Sequence, residues 1–349
     1  MVGESPGSDV LVQTFGGGAY RIDDVARPLA LEYAAATMHF VKHQSILAAF
    51  GSHDDFSESP LRRQPAAGAG HLGAPPLVLD AEAQRHFESV VAHREWDPLL
   101  GTRVIIGEEV PAVAPDGLEA LGAGRLTLVR CDPVDGTQVL SHSGDGFSTV
   151  VTMESRKNPG SPWRHYCGAI VRSDGCAISW TRSAVYTHFV VLDPRYRPCV
   201  DHVPDVLDLG MLPPFANRVL SEQRRLDVAG AGACVAAASP RRREAVMRRF
   251  GRLVAEAPYF DLRAGTPAGW ALCTGLLGWM LEPSATTIHD SIHLFPFTLL
   301  GGRVFTADFE RIDARQLFED HAGPGAPEKI VPPYVACVFD ESLEMIRGS

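Results

Sequence analysis

The chain has 349 residues, more than one hydrophobic core ordinarily fills, so one large or two moderate domains are expected. Its hydrophobic content of 45% and mean hydropathy of −0.01 fit a water-soluble globular protein, and a net charge of −10 with a pI of about 5.7 argues against a broad electrostatic surface for a nucleic-acid polymer. The seven cysteines are scattered without a C-x-x-C pair, no apolar span is long enough for a membrane helix, and Met1 to Asp9 lack a basic-then-apolar leader, so we expect no disulfide framework, no zinc site, no membrane association and a reducing, cytoplasmic location.

Phe15-Gly-Gly-Gly18 reads as a turn. Asp23-Asp24 opens a helix that runs through Phe50, with Leu31, Ala35, Met38, Val41 and Leu47 at helical spacing on its core face. His39 and His43 lie one turn apart on it, either as a metal pair or as part of a polar face; without an acid motif beside them the polar face is preferred. Residues 51–76 are rich in Ser, Pro, Gly and Ala and read as a loop or a lid over a substrate entrance. Asp80 then serves as the N-cap of an amphipathic helix continued by Phe87, Val90 and Val91.

Val104-Ile-Ile reads as a strand ending at Gly107-Glu108-Glu109. After a connection rich in Pro, Gly and Ala, Leu126-Thr-Leu-Val129 reads as a short buried strand that leads into Asp132-Pro133-Val134-Asp135-Gly136-Thr137. Here two carboxylates stand three residues apart, Pro133 stiffens the backbone between them, Gly136 permits close approach of a ligand and Thr137 adds a hydroxyl. Mg²⁺ takes oxygen ligands, commonly one or two carboxylates together with substrate phosphate. Such a turn can supply both acids, a backbone carbonyl and N–H groups for a phosphate. The same residues can instead form an Asx-type turn that only ends a strand. The paired acids at 108–109 and a third acid at Asp290 favour the metal reading.

Phe147–Met153, Cys167–Val171, Ala177–Arg182 and Val185–Leu192 continue as strands. The proline-rich stretch from Pro194 to Pro214 places a domain boundary near residue 195, dividing the chain into 1–195 and 196–349. Ala231–Ala238 reads as a buried strand. Ser239-Pro240 begins a helix to about Val254, whose arginines form a solvated face or a cationic rim for phosphate. Gly265-Thr-Pro-Ala268 begins a helix through about Leu281, with Glu282 just beyond it. His289-Asp290 then precedes an apolar segment in which His289 and His293, four apart, share one helix face before Pro296 and Gly301-Gly302.

Gly107-Glu108-Glu109, Asp132 to Thr137, and Asp290 with Gly301-Gly302 fall in the order of three motifs, G-E-E, D-P-[IVL]-D-G-T and W-D-x-A-A followed by E-A-G-G. On these residues the chain resembles the inositol monophosphatase family, across roughly residues 75–310. It departs from the pattern at the third motif, where His289 stands for Trp, Ser291, Ile292 and His293 follow the acid, and Leu299-Leu300 precede the glycines. Val139 and Leu140 stand where the family has Asn-Phe after D-G-T.

The resemblance implies an α/β fold, a layered αβαβα sandwich made of an N-terminal α+β half with a mainly antiparallel sheet and a C-terminal α/β half, with the site between them. It implies a Mg²⁺-dependent phosphomonoesterase using two or three ions on a small phosphorylated metabolite. Glu108, Asp132 and the Val134 carbonyl would hold one ion, and Asp132, Asp135 and Asp290 a second. Thr137, oriented by Asp80, would act with Glu108 on the attacking water, with Glu109 adjacent. The N–H groups of Gly136 and Thr137 would bind phosphate, and Glu282, His289 and His293 would contact substrate. A homodimer is the association common to such families. The altered loop after Thr137, the long 51–76 segment and the altered third motif favour a sugar, nucleoside, cyclitol or specialised-pathway phosphate over inositol phosphate itself. The alternative is a catalytically silent phosphate-ligand-binding protein that keeps the fold.

Overall fold

A computed structural model describes residues 12–13, 19–20, 22–50, 78–96, 98–107, 124–137, 140, 146–193, 195, 197–219, 232–235, 244, 246–248, 251, 255, 259–261, 265–324 and 331–348. A short antiparallel pair, β1 (Val12–Gln13) and β2 (Ala19–Tyr20), precedes α1 (Ile22–Phe50). Asp23 and Asp24 occupy the first turn of α1, where the helix dipole favours acids. Leu31, Ala35, Met38 and Val41 are buried as their spacing predicts, but Leu47 is 51% exposed, because the helix outruns the core it packs on. His39 is buried rather than on a polar face, and its Nε2 lies 3.0 Å from the Asp193 carbonyl.

The next helix, α2 (Val78–His93), begins before Asp80, which therefore lies inside its first turn and is not the cap. The first sheet then takes the order of the chain: β3 (Thr102–Gly107), β4 (Leu126–Asp135), β5 (Ser148–Arg156), β6 (Arg164–Arg172), β7 (Cys176–Trp180), β8 (Val185–Val190) and β9 (Val206–Leu212). β3 and β4 are parallel and every later neighbour is antiparallel. The sheet's last strand lies beyond residue 195, so the first layer extends past the boundary expected there. Alternate residues feed two cores, as a strand's period of two requires. Val151, Met153, Ala169 and Val171 face α1 and α2, while Val150 and Ile170 face the opposite side.

The second sheet has the order β11-β10-β12-β15-β13-β14, built from β10 (Gly232–Val235), β11 (Tyr259–Asp261), β12 (Trp279–Glu282), β13 (Arg303–Thr306), β14 (Arg311–Ile312) and β15 (Tyr334–Cys337). Between the sheets lie α3 (Thr266–Thr274), α5 (Leu294–Leu299) and α6 (Ala314–Asp320), preceded by the one-turn α4 (Ile288–Ser291). Leu272, Phe295, Phe297 and Phe318 join Ile178 and Trp180 of the first sheet and Met280 and Tyr334 of the second in one core. A last helix, α7 (Asp340–Arg347), covers the outer face of the second sheet through Leu343 and Ile346. The result is five layers, αβαβα, matching the expected α/β architecture.

Two local expectations fail for identifiable reasons. The helix from Gly265 does not reach Leu281: it stops at Thr274, where Gly275 adopts φ 77° and returns its N–H to Ala271 and Leu272. The apolar run after that glycine is the strand β12. His289 and His293 do not share one helix, because the chain breaks between α4 and α5. Most of the helix expected over 239–254 lies outside the described residues; within it Val246 is buried and Arg248 pairs with Glu244 at 2.6 Å on the surface. No described helix is long and apolar enough to cross a membrane, and Cys131, Cys167, Cys176, Cys199, Cys273 and Cys337 are free thiols.

Candidate metal centre

In a regular strand, side chains three residues apart point to opposite faces. Asp132 and Asp135 escape this through a bulge in β4. Asp132 pairs with Val150 and Asp135 with Ser148, so one extra residue on β4 resets the alternation. Because Val150 and Ser148 share a face of β5, both acids point the same way, toward the middle helical layer. The bulge is held by its own polar groups. Thr149 Oγ1 donates to the Pro133 carbonyl at 2.8 Å, the Val134 N–H donates to Asp132 Oδ1 at 3.1 Å, and Thr137 Oγ1 donates to the Val134 carbonyl at 2.9 Å. Gly136 turns the chain at φ 95°, a conformation glycine adopts readily.

The middle layer supplies the rest. At the start of α3 the N–H and hydroxyl of Thr266 both donate to Asp135 Oδ2 at 2.5 Å, and Ser148 Oγ lies 2.6 Å from the Thr266 hydroxyl. Gly265, at φ 72°, backs directly onto the acid: a Cβ there would stand 2.4 Å from a carboxylate oxygen of Asp135. Asp290 is the third residue of α4, where it closes a capping box with Thr287. Its N–H donates to Thr287 Oγ1 at 3.3 Å and its Oδ2 accepts from the Thr287 N–H at 3.4 Å. Asp132, Asp135 and Asp290 thereby offer carboxylate oxygens that all lie within 4.8 Å of one another, and among the described residues no other such group of metal-ligating side chains occurs.

Three acids this close repel one another unless a cation or a proton intervenes. Burial, and next the charge of Asp290, raise Asp135 from its ordinary value of 3.8 to about 7, while hydrogen bonds from Thr266 and the Gly136 N–H pull the other way. An all-oxygen donor set with excess negative charge suits a hard divalent cation such as Mg²⁺.

Two expected outcomes follow from this geometry. Gly265→Ala forces the Asp135 carboxylate aside, and calorimetry should find Mg²⁺ affinity lowered roughly 10- to 100-fold, the range for lost support around a ligand; unchanged affinity would detach Gly265 from the site. Without metal, the folded protein binds the Asp135 proton more tightly than the unfolded chain does. The stability this adds is complete below pH 3.8 and is lost as pH rises through about 7. Denaturant midpoints in EDTA should therefore fall between about pH 4 and about pH 7, and Mg²⁺ should abolish the fall; parallel profiles with and without Mg²⁺ would contradict this.

Of the other residues expected at the site, Glu108 and Glu109 lie outside the described residues. Asp80 is buried in the first turn of α2, the helix whose Gln84 carboxamide lies against Gly107. Glu282 is buried at the end of β12, where its Oε1 accepts from the N–H and hydroxyl of Ser284 at 3.2 and 2.9 Å. His293 is a core residue: its ring packs on Gly269 and its Nε2 lies 3.2 Å from the Tyr334 hydroxyl. His289 turns to Arg130, with 3.3 Å between its Nε2 and Arg130 Nη1. Neither histidine joins the acid group. Thr266, Gly265 and Thr287 escaped sequence reasoning, although Thr287-x-x-Asp290 is itself a capping pattern.

No family model matches the chain, and no curated protein does. Solved structures do match over nearly the whole length. The structure of Mycobacterium tuberculosis SuhB is 17% identical, covering 93% of this chain and 97% of its own, with a TM-score of 0.50. That of the Thermotoga maritima IMPase TM1415 is 13% identical, covering 94% and 98%, with a TM-score of 0.53. At these identities the likeness establishes the fold: the chain has the inositol-monophosphatase-like architecture.

Proposed function

We propose that this chain is a Mg²⁺-dependent phosphomonoesterase acting on a small phosphorylated metabolite. The observation that carries the reading is the convergence of Asp132, Asp135 and Asp290 from two layers of the fold within 4.8 Å. A purely structural cluster of three carboxylates would be destabilising. The likeness to an IMPase, a phosphatase by name, supports the same chemistry. In this reading Asp132, Asp135 and Asp290 hold one ion, and Glu108, Asp132 and the Val134 carbonyl hold another. Ions held there would supply a lowered water pKa and charge neutralisation at the phosphoryl oxygens.

The chain's own groups do the rest. Thr137 donates its hydroxyl proton to the Val134 carbonyl, which leaves its oxygen free to accept a hydrogen bond from the attacking water and orient it. Glu108 would accept that water's proton, with Glu109 beside it. The Thr137 N–H, at a helical turn whose first bond runs from Leu140 to the Gly136 carbonyl at 3.0 Å, binds a phosphate oxygen. We further propose a cytoplasmic protein, working as a homodimer on sugar, cyclitol, nucleoside or specialised-pathway phosphates.

The test is phosphate release from a panel of such esters, with Mg²⁺ and with EDTA. Metal-dependent release from one class is expected and names the substrate. No release from any ester, together with calorimetric silence toward Mg²⁺, would favour a silent scaffold instead.

A further inference from the structure

Beneath the acid cluster lies a buried charged network that the reaction as proposed does not use. Arg130 stands two residues before Asp132 on β4 and so shares its face. Its side chain is 7% exposed and that of Glu154, on β5, is 5% exposed. Arg130 Nε lies 3.4 Å from Glu154 Oε1 and Nη2 lies 3.5 Å from Oε2. The same Nη2 donates to the Gly323 carbonyl, and the Gly323 N–H donates to Glu154 Oε2 at 2.7 Å. Arg130 Nη1 reaches His289 Nε2 at 3.3 Å. An arginine can only donate, so Nε2 accepts and the imidazole proton sits on Nδ1.

Stability alone gives no reason for this arrangement. Apolar residues of similar volume commonly replace a buried ion pair at no loss, and the best-attested use of such pairs is to fix register. Arg130 joins β4, the 321–324 turn and α4. That last element needs joining. α4 spans four residues, a single turn, and an isolated turn does not hold itself. The Thr287 cap, the 2.6 Å contact between the Ser291 and Thr286 hydroxyls and the packing of Ile288 hold one side of it, and the His289 ring against Arg130 holds the side that leads into Asp290. His289 immediately precedes Asp290, so the angle at which the ring is held sets where the Asp290 carboxylate reaches.

We infer that Arg130, acting through His289, is a positioning residue that fixes α4 and thereby presents Asp290 to the metal cluster. The inference rests on the metal-centre reading above.

The test uses the full chain as wild type, His289→Phe, His289→Gln and the double variant Arg130→Met/Glu154→Gln. The double variant removes both charges together, so that neither is left buried and alone. Phe keeps the ring's bulk without an acceptor, whereas the Gln amide oxygen can accept where Nε2 did. Calorimetric Mg²⁺ binding is read alongside thermal melting in EDTA and, at saturating Mg²⁺, the KM for the best ester. Mg²⁺ affinity should fall roughly 10- to 100-fold in His289→Phe and in the double variant, and His289→Gln should recover most of it. The KM for the ester should stay within about twofold of wild type, because an ion at saturation restores the cluster. Wild-type affinity in His289→Phe or in the folded double variant, or a His289→Gln no better than His289→Phe, overturns the inference. A wild-type protein that binds no Mg²⁺ overturns the metal-centre reading itself and this inference with it, so the two failures are distinct.

Discussion

Asp135→Asn should remove metal-dependent phosphate release while leaving the metal-free protein as stable as wild type, or more so. The two effects have opposite signs for one reason. Burial, and next repulsion from Asp290, disfavour an ionised Asp135 in the absence of an ion, which is what raises its pKa. Asn has the same shape, and its amide oxygen can accept both Thr266 donors that now reach Oδ2. The fold therefore keeps its contacts and loses a repulsion. The ion, by contrast, loses a charged ligand. Ion-derived stabilisation of a phosphoryl transition state is worth several kcal/mol, so release should drop by roughly three orders of magnitude or more. Phosphate release, calorimetric Mg²⁺ binding and denaturant midpoints in EDTA measure the three quantities. A variant with wild-type Mg²⁺ affinity would take Asp135 out of the site.

Trp180→Ala should be among the most destabilising single changes available, costing about 3–5 kcal/mol. Trp180 is fully buried between the first sheet and the middle helices. Its Nε1 donates to His165 Nε2 at 2.9 Å, and its ring fills the space above Gly168, where a Cβ would stand 2.3 Å from the ring. His165 is kept neutral by its burial, with Arg182 and Arg130 adding to the effect, and its ring lies tilted against Phe295 of α5, with 4.5 Å between centroids. Truncation leaves a cavity and strips His165 of its donor. The same layer carries Thr266 and Asp290, so Mg²⁺ affinity should weaken with it. Gly168→Ala, approaching the same contact from the other side, should cost about 1–3 kcal/mol through overpacking. Leu207→Ser on the exposed edge strand β9, where Leu207 is 55% exposed, should stay within about 0.5 kcal/mol of wild type. Urea midpoints rank the three; a Trp180→Ala chain as stable as Leu207→Ser would contradict the account of the core.

Local pattern was informative where one segment decides its own structure. The long α1 and the strands from β4 to β8 follow from periodicity, and Asp132 to Thr137 stood out because acids, a proline and a glycine cluster at the end of an apolar run. Pattern failed where a distant partner decides. Nothing in Asp132-Pro133-Val134-Asp135 announces the bulge that turns both acids to one face, because the bulge is defined by pairing with β5. Thr266 reaches Asp135 across much of the chain, and Arg130 meets His289 only when the sheet and α4 are brought together. Gly275 was a readable stop, but the apolar run after it suits either a helix or a strand. His293 carries the chemistry of a ligand, and only its packing against Gly269 and Tyr334 assigns it to the core.

Mn²⁺ can stand in for Mg²⁺ in an all-oxygen site and scatters X-rays anomalously. Crystals grown with Mn²⁺ should show an anomalous peak about 2.0–2.3 Å from carboxylate oxygens of Asp132, Asp135 and Asp290, absent from crystals of Asp135→Asn. A wild-type map with no peak between these three acids, at a Mn²⁺ concentration that supports phosphate release, would contradict the assignment of the catalytic metal to this cluster.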